Sequence, residues 1–397
     1  MTTGPCFAAA LSRRSDAGDA AREASQQARE QLGGHADLAL VFASAHHQEH
    51  FGKIADVLAR ELTGALVVGC TGESILCNQL EIEGQPAIVV WLARLPGAEL
   101  LPMHLEFIPT AEGGSFVGWH DRFSPETAAS GTLLLLADPF SFPADVLLSR
   151  LNEDWPGLVV IGGMASGGWQ PGQNRLLCDN RVIERGAVAL VLRGAVDVET
   201  VVSQGCRPIG HPYVVTKADR NVILELGGVP ALEQLRQLFR ELAPEDQQLV
   251  QHGLHVGQVI SEYQDRFGRG DFLVRNVQGI DTDQNAIAIG DYVRVGQTVQ
   301  FHVRDAATAD EDLGSLLAAA GKAQTAAVRG ALVFTCNGRG TRLFDEPHHD
   351  AQSVARHFDV PSAGFFAQGE IGPVGGKNFL HGFTASIALF RAGHSAP

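Results

Sequence analysis

The sequence predicts a mixed α/β (α+β) protein of two domains, in which repeated β-α-β-turn-β units form mixed sheets covered by helices. Three observations carry that reading: short apolar runs bounded by small-residue turns, amphipathic stretches spaced by three and four residues between them, and the recurrence of this order three times along the chain. At 397 residues, and roughly 150 residues per domain, two or three domains are expected. Residues 1–34 read as an N-terminal helical segment, 35–215 as a domain holding two units, and 216–392 as a domain of one helix, antiparallel strands and the third unit.

The first element is an amphipathic helix, because Ala17, Ala20, Ala21, Ala24, Ala28 and Leu32 recur at helical spacing and Gly33-Gly34 stops the pattern. The first unit takes Leu38 to Ser44 as a strand, Ile54 to Leu62 as a helix, Ala65 to Gly69 as a second strand, the turn Cys70 to Ser74, and Ala87 to Ala93 as a closing strand. The second takes Leu133 to Asp138, a helix from Ala144 to Leu151, Leu158 to Gly162, the turn Gly163 to Gly168, and Ala187 to Leu192. The third takes Ala331 to Thr335, Ala351 to Phe358, Ser362 to Phe366, the turn Ala367 to Gly372, and Thr384 to Phe390. Similar distances separate Ser44 from Gly69, Asp138 from Gly162, and Cys336 from Gly364. The units build either one continuous sheet or two packed ones.

Between the second and third units, Pro230 reads as the first residue of a helix whose face is Leu232, Leu235, Leu238, Phe239 and Leu242, closed by Pro244. Strands follow at Leu254 to Ile260, Phe272 to Val277, Ala286 to Ile289 and Val299 to Val303, then a helix from Asp310 to Ala320. The stretch from Gly205 to Asp219 is either a linker or a crossing strand.

Composition narrows the function. Acidic residues outnumber basic ones to give a net charge of −15, which repels nucleic acid and anionic membranes. The longest apolar runs, Gly131 to Ala137 and Ala87 to Ala93, fall far short of the roughly 20 residues that cross a bilayer. The basic pair Arg13-Arg14 follows the N-terminal apolar run instead of preceding it, so a cytoplasmic protein without membrane insertion is expected. Six cysteines without a C-x-x-C pair read as mostly free thiols.

Two N-terminal strings, Asp37 to Ser44 and Val67 to Glu73, together with the turn Gly162 to Gly167, resemble the N-terminal domain of the FIST (F-box and intracellular signal transduction) family. Gly330 to Gly340 and Gly364 to Pro373 resemble its C-terminal domain. The resemblance implies a sensory input module of signal transduction, with small ligands, amino acids among them, as the proposed signal. Eukaryotic relatives join a similar module to an F-box; the residues before the first strand are too few for one. The expected partners are therefore a small-molecule ligand and a separate signalling protein.

Read for chemistry, the small-residue turns at strand ends suit a ligand crevice, since glycine lets backbone N–H groups approach a ligand; each also suits a plain tight turn. The candidate ligand-binding residues are Cys70, Thr71, Glu73, Ser166, Gly167, Cys336, Asn337, Arg339, Phe366, Gly369 and Glu370. Arg339 can take a ligand carboxylate through two parallel hydrogen bonds, or form an internal salt bridge with Glu370. Cys70 and Cys336, read as occupying comparable places beyond a strand, are either buried fillers or reactive thiols, with His348 or His381 as a base. His46-His47-Gln48-Glu49-His50 matches the H-x-x-E-H zinc string, placing His46 and His50 one helical turn apart, or is a solvated loop. Asp350 reads as a helix cap. No glycine run fits a nucleotide fingerprint, and no cofactor is expected. A ligand-binding sensor ranks first, ahead of a thiol- or metal-dependent enzyme using Cys336 or His46/His50 and of a protein-interaction scaffold.

Overall fold

The computed structural model describes residues 4–111, 113–124, 131–194, 196–264, 266–268, 270–323 and 326–393. Two compact units emerge, Met1–Val202 with Gly314–Pro397, and Ser203–Leu313.

The first unit opens with β1 (Cys6–Ser12), a strand that the sequence pattern did not disclose, and α1 (Ala17–Leu32). The Asp16 carboxylate accepts the Asp19 amide at 2.9 Å, and Gly33 ends the helix at φ 66°. The first repeat comprises β2 (Leu38–Ser44), α2 (Phe51–Glu61), β3 (Leu66–Gly72), the hairpin β4 (Ile75–Cys77) and β5 (Leu80–Ile82), and β6 (Ile88–Arg94). After β7 (Glu99–Ile108) and β8 (Ser115–Val117), the second comprises β9 (Gly131–Ala137), α3 (Ala144–Asp154), β10 (Val159–Met164), the hairpin β11 (Leu176–Cys178) and β12 (Arg181–Ile183), and β13 (Ala187–Arg193), followed by β14 (Val196–Ser203).

The second unit holds β15 (Cys206–Asp219), β16 (Val222–Leu226), β17 (Val229–Pro230), α4 (Ala231–Glu241), α5 (Pro244–His252), β18 (Leu254–Val259), β19 (Phe272–Asp281), β20 (Ala286–Ile289) and β21 (Thr298–Arg304). Its strands run in the order β15-β21-β18-β19-β20-β16-β17, and pairing of β15 with β16 closes them into a barrel. The segment that sequence left as linker or strand is thus the long strand β15. Leu232, Leu235 and Leu238 of α4 join Val256, Ile287 and Phe301 in the barrel core. Pro230 is the N-cap of α4 instead of its first turn, and Pro244 opens α5, a helix missed because its short polar sequence buries no side chain.

The third repeat follows α6 (Ala306–Ala323) and comprises β22 (Val328–Cys336), α7 (His349–His357), β23 (Ser362–Ala367), the hairpin β24 (Glu370–Val374) and β25 (Lys377–His381), and β26 (Ala385–Ala392). The three repeats build three sheets, not one or two, and each sheet borrows a strand pair. Their orders are β1-β6-β2-β3-β11-β12, β25-β24-β10-β9-β13-β7-β8 and β14-β26-β22-β23-β4-β5. The hairpin of repeat one therefore completes the sheet of repeat three, that of repeat three the sheet of repeat two, and that of repeat two the sheet of repeat one.

One glycine per repeat marks the exchange. Gly69, Gly162 and Gly364 pair with Val41, Leu135 and Val333 on the parallel neighbour, and with Leu177, Ile371 and Leu76 on the incoming hairpin. A Cβ at any of the three would drive into the carbonyl oxygen of the parallel neighbour, Val41, Leu135 or Val333. Only glycine fits, and the near-equal spacing seen in the sequence has this cause. The sheets meet in one core in which Phe42, Leu136 and Phe334, equivalent positions on the first strand of each repeat, gather with Trp91, Phe365 and Leu190. Phe365 packs between Phe42, tilted at 5.1 Å, and Phe334, edge-on at 5.7 Å. Among the described residues no helix is long and apolar enough to cross a membrane.

Gly364→Ala is expected to cost about 3 kcal/mol or more, because the strained contact is backbone and cannot rotate away. Gly52→Ala on α2, where nothing lies within 4 Å of the added methyl, should stay within about 1 kcal/mol of the parent, on the stabilising side. Urea denaturation of both variants measures the difference.

Candidate functional site

The strand exchange carries the turns of all three repeats to one junction within the first unit. Ser166 ties them: its Oγ accepts the Glu73 amide at 2.7 Å and donates to the Phe366 carbonyl, while its own amide donates to the Thr71 carbonyl at 3.2 Å. Gly167 packs so tightly that a Cβ there would meet the side chain of Ala45 and the Gly72 carbonyl. The Asn337 amide donates to the Ala367 carbonyl at 3.0 Å, and the Met164 amide to Gly369 at 2.8 Å. Glu370 lies opposite Gly163 across β10 and β24, and its Oε2 accepts the Thr384 amide at 3.0 Å. The Cys336 amide in turn donates to the Thr384 carbonyl at 3.0 Å. An ion pair between Arg342 and Glu73 crosses the outer edge.

Arg339 does not serve the two roles its sequence context suggested. Its side chain is wholly buried, and Nε and Nη2 each donate to Asp350, at 2.7 Å to Oδ2 and 2.7 Å to Oδ1. The fork that was to hold a ligand carboxylate, or Glu370, is filled by the carboxylate of a residue read as a helix cap. Asp350 lies in the first turn of α7, capped by His348 at φ 68°, and also accepts the Thr335 hydroxyl at 2.5 Å and contacts the His349 ring at 2.9 Å. Burial by itself would raise the Asp350 pKa; the charge and hydrogen bonds of Arg339, aided by His349, outweigh it and hold the carboxyl well below the usual range.

A second carboxylate shares this pocket. Glu81 arrives on β5, the hairpin lent by repeat one, and is buried. Its Oε1 accepts the Ala351 amide at 2.9 Å, and its backbone amide donates to His348 Nδ1 at 3.0 Å. Burial, and then the negative charge of Asp350, push its pKa up to about 8. Two residues on, Glu83 accepts the Thr341 amide and hydroxyl, at 3.1 and 2.7 Å, fixing the loop after Arg339. Phe344 lies 5.2 Å below the guanidinium and stacks on His349. Three buried atoms of this cluster make no hydrogen bond: Arg339 Nη1, Asn337 Oδ1 and Glu81 Oε2. With Glu81 in its neutral form, its Oε2 carrying the proton, two donors and one acceptor remain there for a small polar molecule, because buried polar groups without partners are rare in folded proteins.

The residues 37–229 match the FIST N domain and 231–373 match the FIST C domain. The chain belongs to the FIST family. It is also 46% identical over 373 residues to an uncharacterized protein of Mycobacterium tuberculosis, covering 94% of this chain and 96% of that one. An uncharacterized protein of Mycobacterium bovis is 44% identical over 377 residues, with 94% and 96% covered. The two FIST matches do not coincide with the two compact units: FIST N contributes Glu73, Glu81 and Ser166 to the junction, and FIST C contributes Cys336, Asn337, Arg339, Asp350 and Glu370.

The remaining FIST candidates separate. Cys70 lies inside β3 within the central core, and burial raises its thiol pKa well above the ordinary value. It is equivalent to Phe365, whereas Cys336 ends the first strand of its repeat and is equivalent to Ser44, so the two cysteines are not counterparts. His348 and His381, the two proposed bases, are engaged by the Glu81 amide and, through Nε2 at 2.9 Å, by the Gly372 carbonyl. The zinc string forms a 3₁₀ helix, Ala45–His50, whose three-residue turn sets His46 and His50 on different faces. Among the described residues no cluster of three His, Cys, Asp or Glu side chains can hold a metal. The buried member of that string is His47, whose ring nitrogens make no hydrogen bond and whose pKa is lowered by burial. An open depression of about 620 Å³ at the ends of α1 and α2, lined by Arg29, Glu30, His35, Arg60, Glu61 and Thr63 among others, includes none of the candidates.

Asp350→Asn leaves the buried guanidinium without its counter-charge and is expected to cost about 3–5 kcal/mol in denaturant unfolding. Glu81 acts in the opposite sense. Folding raises its proton affinity, so the native state binds more protons than the unfolded chain between the ordinary value of 4.5 and about 8. Its contribution is complete below that window and is lost as pH rises through it. Glu81→Gln, which needs no proton, should flatten the decline of stability between those pH values, as thermal melts across a buffer series will show.

Proposed function

We propose that this FIST chain is a small-ligand-binding sensory module of intracellular signal transduction, with its ligand held where the turns of the three repeats converge. The observation that carries the reading is the set of unpartnered buried atoms Arg339 Nη1, Asn337 Oδ1 and Glu81 Oε2 at the junction. With Glu81 neutral, a polar molecule supplying two acceptors and one donor satisfies them at once, and the gain in hydrogen bonding stabilises the bound state. Glu81, largely neutral below pH 8, adds no repulsion toward a ligand carboxylate. With the Arg339 fork occupied by Asp350, a carboxylate would receive a single N–H from Arg339, so small amino acids remain the first probes and bidentate recognition is not required.

Binding at this place would signal readily. The ligand would touch loops donated by two different repeats, and any shift there is shared with the sheet each hairpin completes. A partner protein that reads the first unit would receive the change.

A thermal-shift screen against free amino acids and small polar metabolites tests the proposal. A ligand of the folded state raises the midpoint with concentration, the stabilisation growing as about RT ln(1 + [L]/Kd). The shift should vanish in Asn337→Ala, whose backbone bond to Ala367 is retained and whose unliganded midpoint should stay close to the parent. A shift that survives in that variant would place the ligand elsewhere.

A further inference from the structure

We propose that Cys336 is an oxidant-responsive thiol, converted by hydrogen peroxide to a sulfenic acid beside the buried guanidinium of Arg339. This goes beyond the ligand reading and does not rest on it, because the reaction needs only the thiol and the peroxide.

The six cysteines are thiols outside any disulfide, and their settings differ. Cys70, Cys77 and Cys206 are buried, while Cys6, Cys178 and Cys336 are partly exposed. Burial pushes Cys77 up to about 12, and burial with the charge of Asp179 pushes Cys178 up to about 11. Cys336 has the opposite surroundings. The Gly338 amide donates to its sulfur at 3.4 Å, and the Arg339 guanidinium lies close enough for the two groups to interact electrostatically. That guanidinium is 0% exposed and keeps Nη1 without an acceptor, since Asp350 takes only Nε and Nη2. A thiolate at Cys336, or the oxygen that peroxide adds to it, is an acceptor suited to such a donor. Asp350 and Glu81 also interact with Arg339, and Arg342 donates to the neighbouring Asn337 carbonyl; Asp350 is neutralised by Arg339 and Glu81 favours its neutral form below about pH 8.

The chemistry balances without a metal. Cys336 loses its proton and the sulfur attacks one peroxide oxygen, so that an S–O bond forms as the O–O bond breaks. The departing hydroxide takes up the proton and leaves as water; sulfur is oxidised by two electrons and the peroxide reduced by two. Because Cys70 and Cys77, which share the first unit, are buried, the expected product is the sulfenic acid and not a disulfide with either.

Fully reduced full-length chain, treated with limiting hydrogen peroxide in the presence of dimedone and mapped by peptide mass spectrometry, tests this directly. Label should reach Cys336 at least about tenfold faster than Cys6 or Cys178, the partly exposed controls of the same chain. Equal labelling of the three, or labelling of the controls alone, overturns the proposal. The pH dependence of Cys336 alkylation by iodoacetamide gives a second reading on the unaltered protein: a midpoint at least about one unit below the ordinary thiol value of roughly 8.5 is expected, and a midpoint at or above it refutes thiolate stabilisation. Arg339→Lys, if its circular dichroism matches the parent, should slow the oxidation about tenfold; an unchanged rate removes Arg339 from the account.

Discussion

The cyclic exchange of hairpins is the constraint on which the first unit depends. Each parallel β-α-β pair presents an edge, and unpaired strand edges are unstable in water and prone to aggregation. Here every such edge is covered by the hairpin of another repeat. The cover is possible only because Gly69, Gly162 and Gly364 let the two strands of each parallel pair close up where the incoming strand docks. Three repeats close the cycle, so none of them contains its own complete sheet.

The candidate site inherits this arrangement. Glu81 and Glu83 belong to the first repeat, yet they hold the loop and helix of the third, and Ser166 of the second repeat ties Glu73 to Phe366. An ion pair as deeply buried as Arg339 with Asp350 adds little net stability compared with a well-packed apolar pair, but it fixes the loop after β22 in one place. Keeping Glu81 neutral beside it lets two acidic side chains occupy one pocket without mutual repulsion, the arrangement by which paired carboxylates elsewhere divide acid and base roles.

Much of the fold was legible because its signals are local. The alanine spacing of α1, the apolar runs of the first strands and the recurring glycines all report short-range periodicity; such local signals located the three repeats and four of the seven barrel strands, but not β16 or β17. The hairpins were not legible, since β4, β5, β11 and β12 are three residues each, too short to show alternation. Their partners also lie up to hundreds of residues away. For the site, the glycine turns pointed to loops that meet in the fold, where Thr71, Glu73, Ser166, Gly167, Asn337, Phe366, Gly369 and Glu370 come together. The charges were harder to assign. Nothing in the spacing of Glu81 or Asp350 distinguishes them from solvated acids, and pairing Arg339 with Glu370 followed from their similar glycine-rich surroundings, not from a contact that sequence can specify.

The order of the exchange has a consequence for how the chain reaches this state. The ribosome delivers the hairpin of residues 75–82 early, but the strand it must join, residues 362–367, emerges near the end. Until then the hairpin lacks the strand it docks on and the edge of β10 lacks β24, and the barrel is synthesised while the first two repeats wait. Such delayed, long-range strand pairing folds slowly and exposes sticky edges to other chains. The growing polypeptide therefore has reason to depend on chaperones that shield nascent β-structure, and a ribosome stalled before residue 362 would release a complete barrel attached to a first unit whose second and third sheets lack strands.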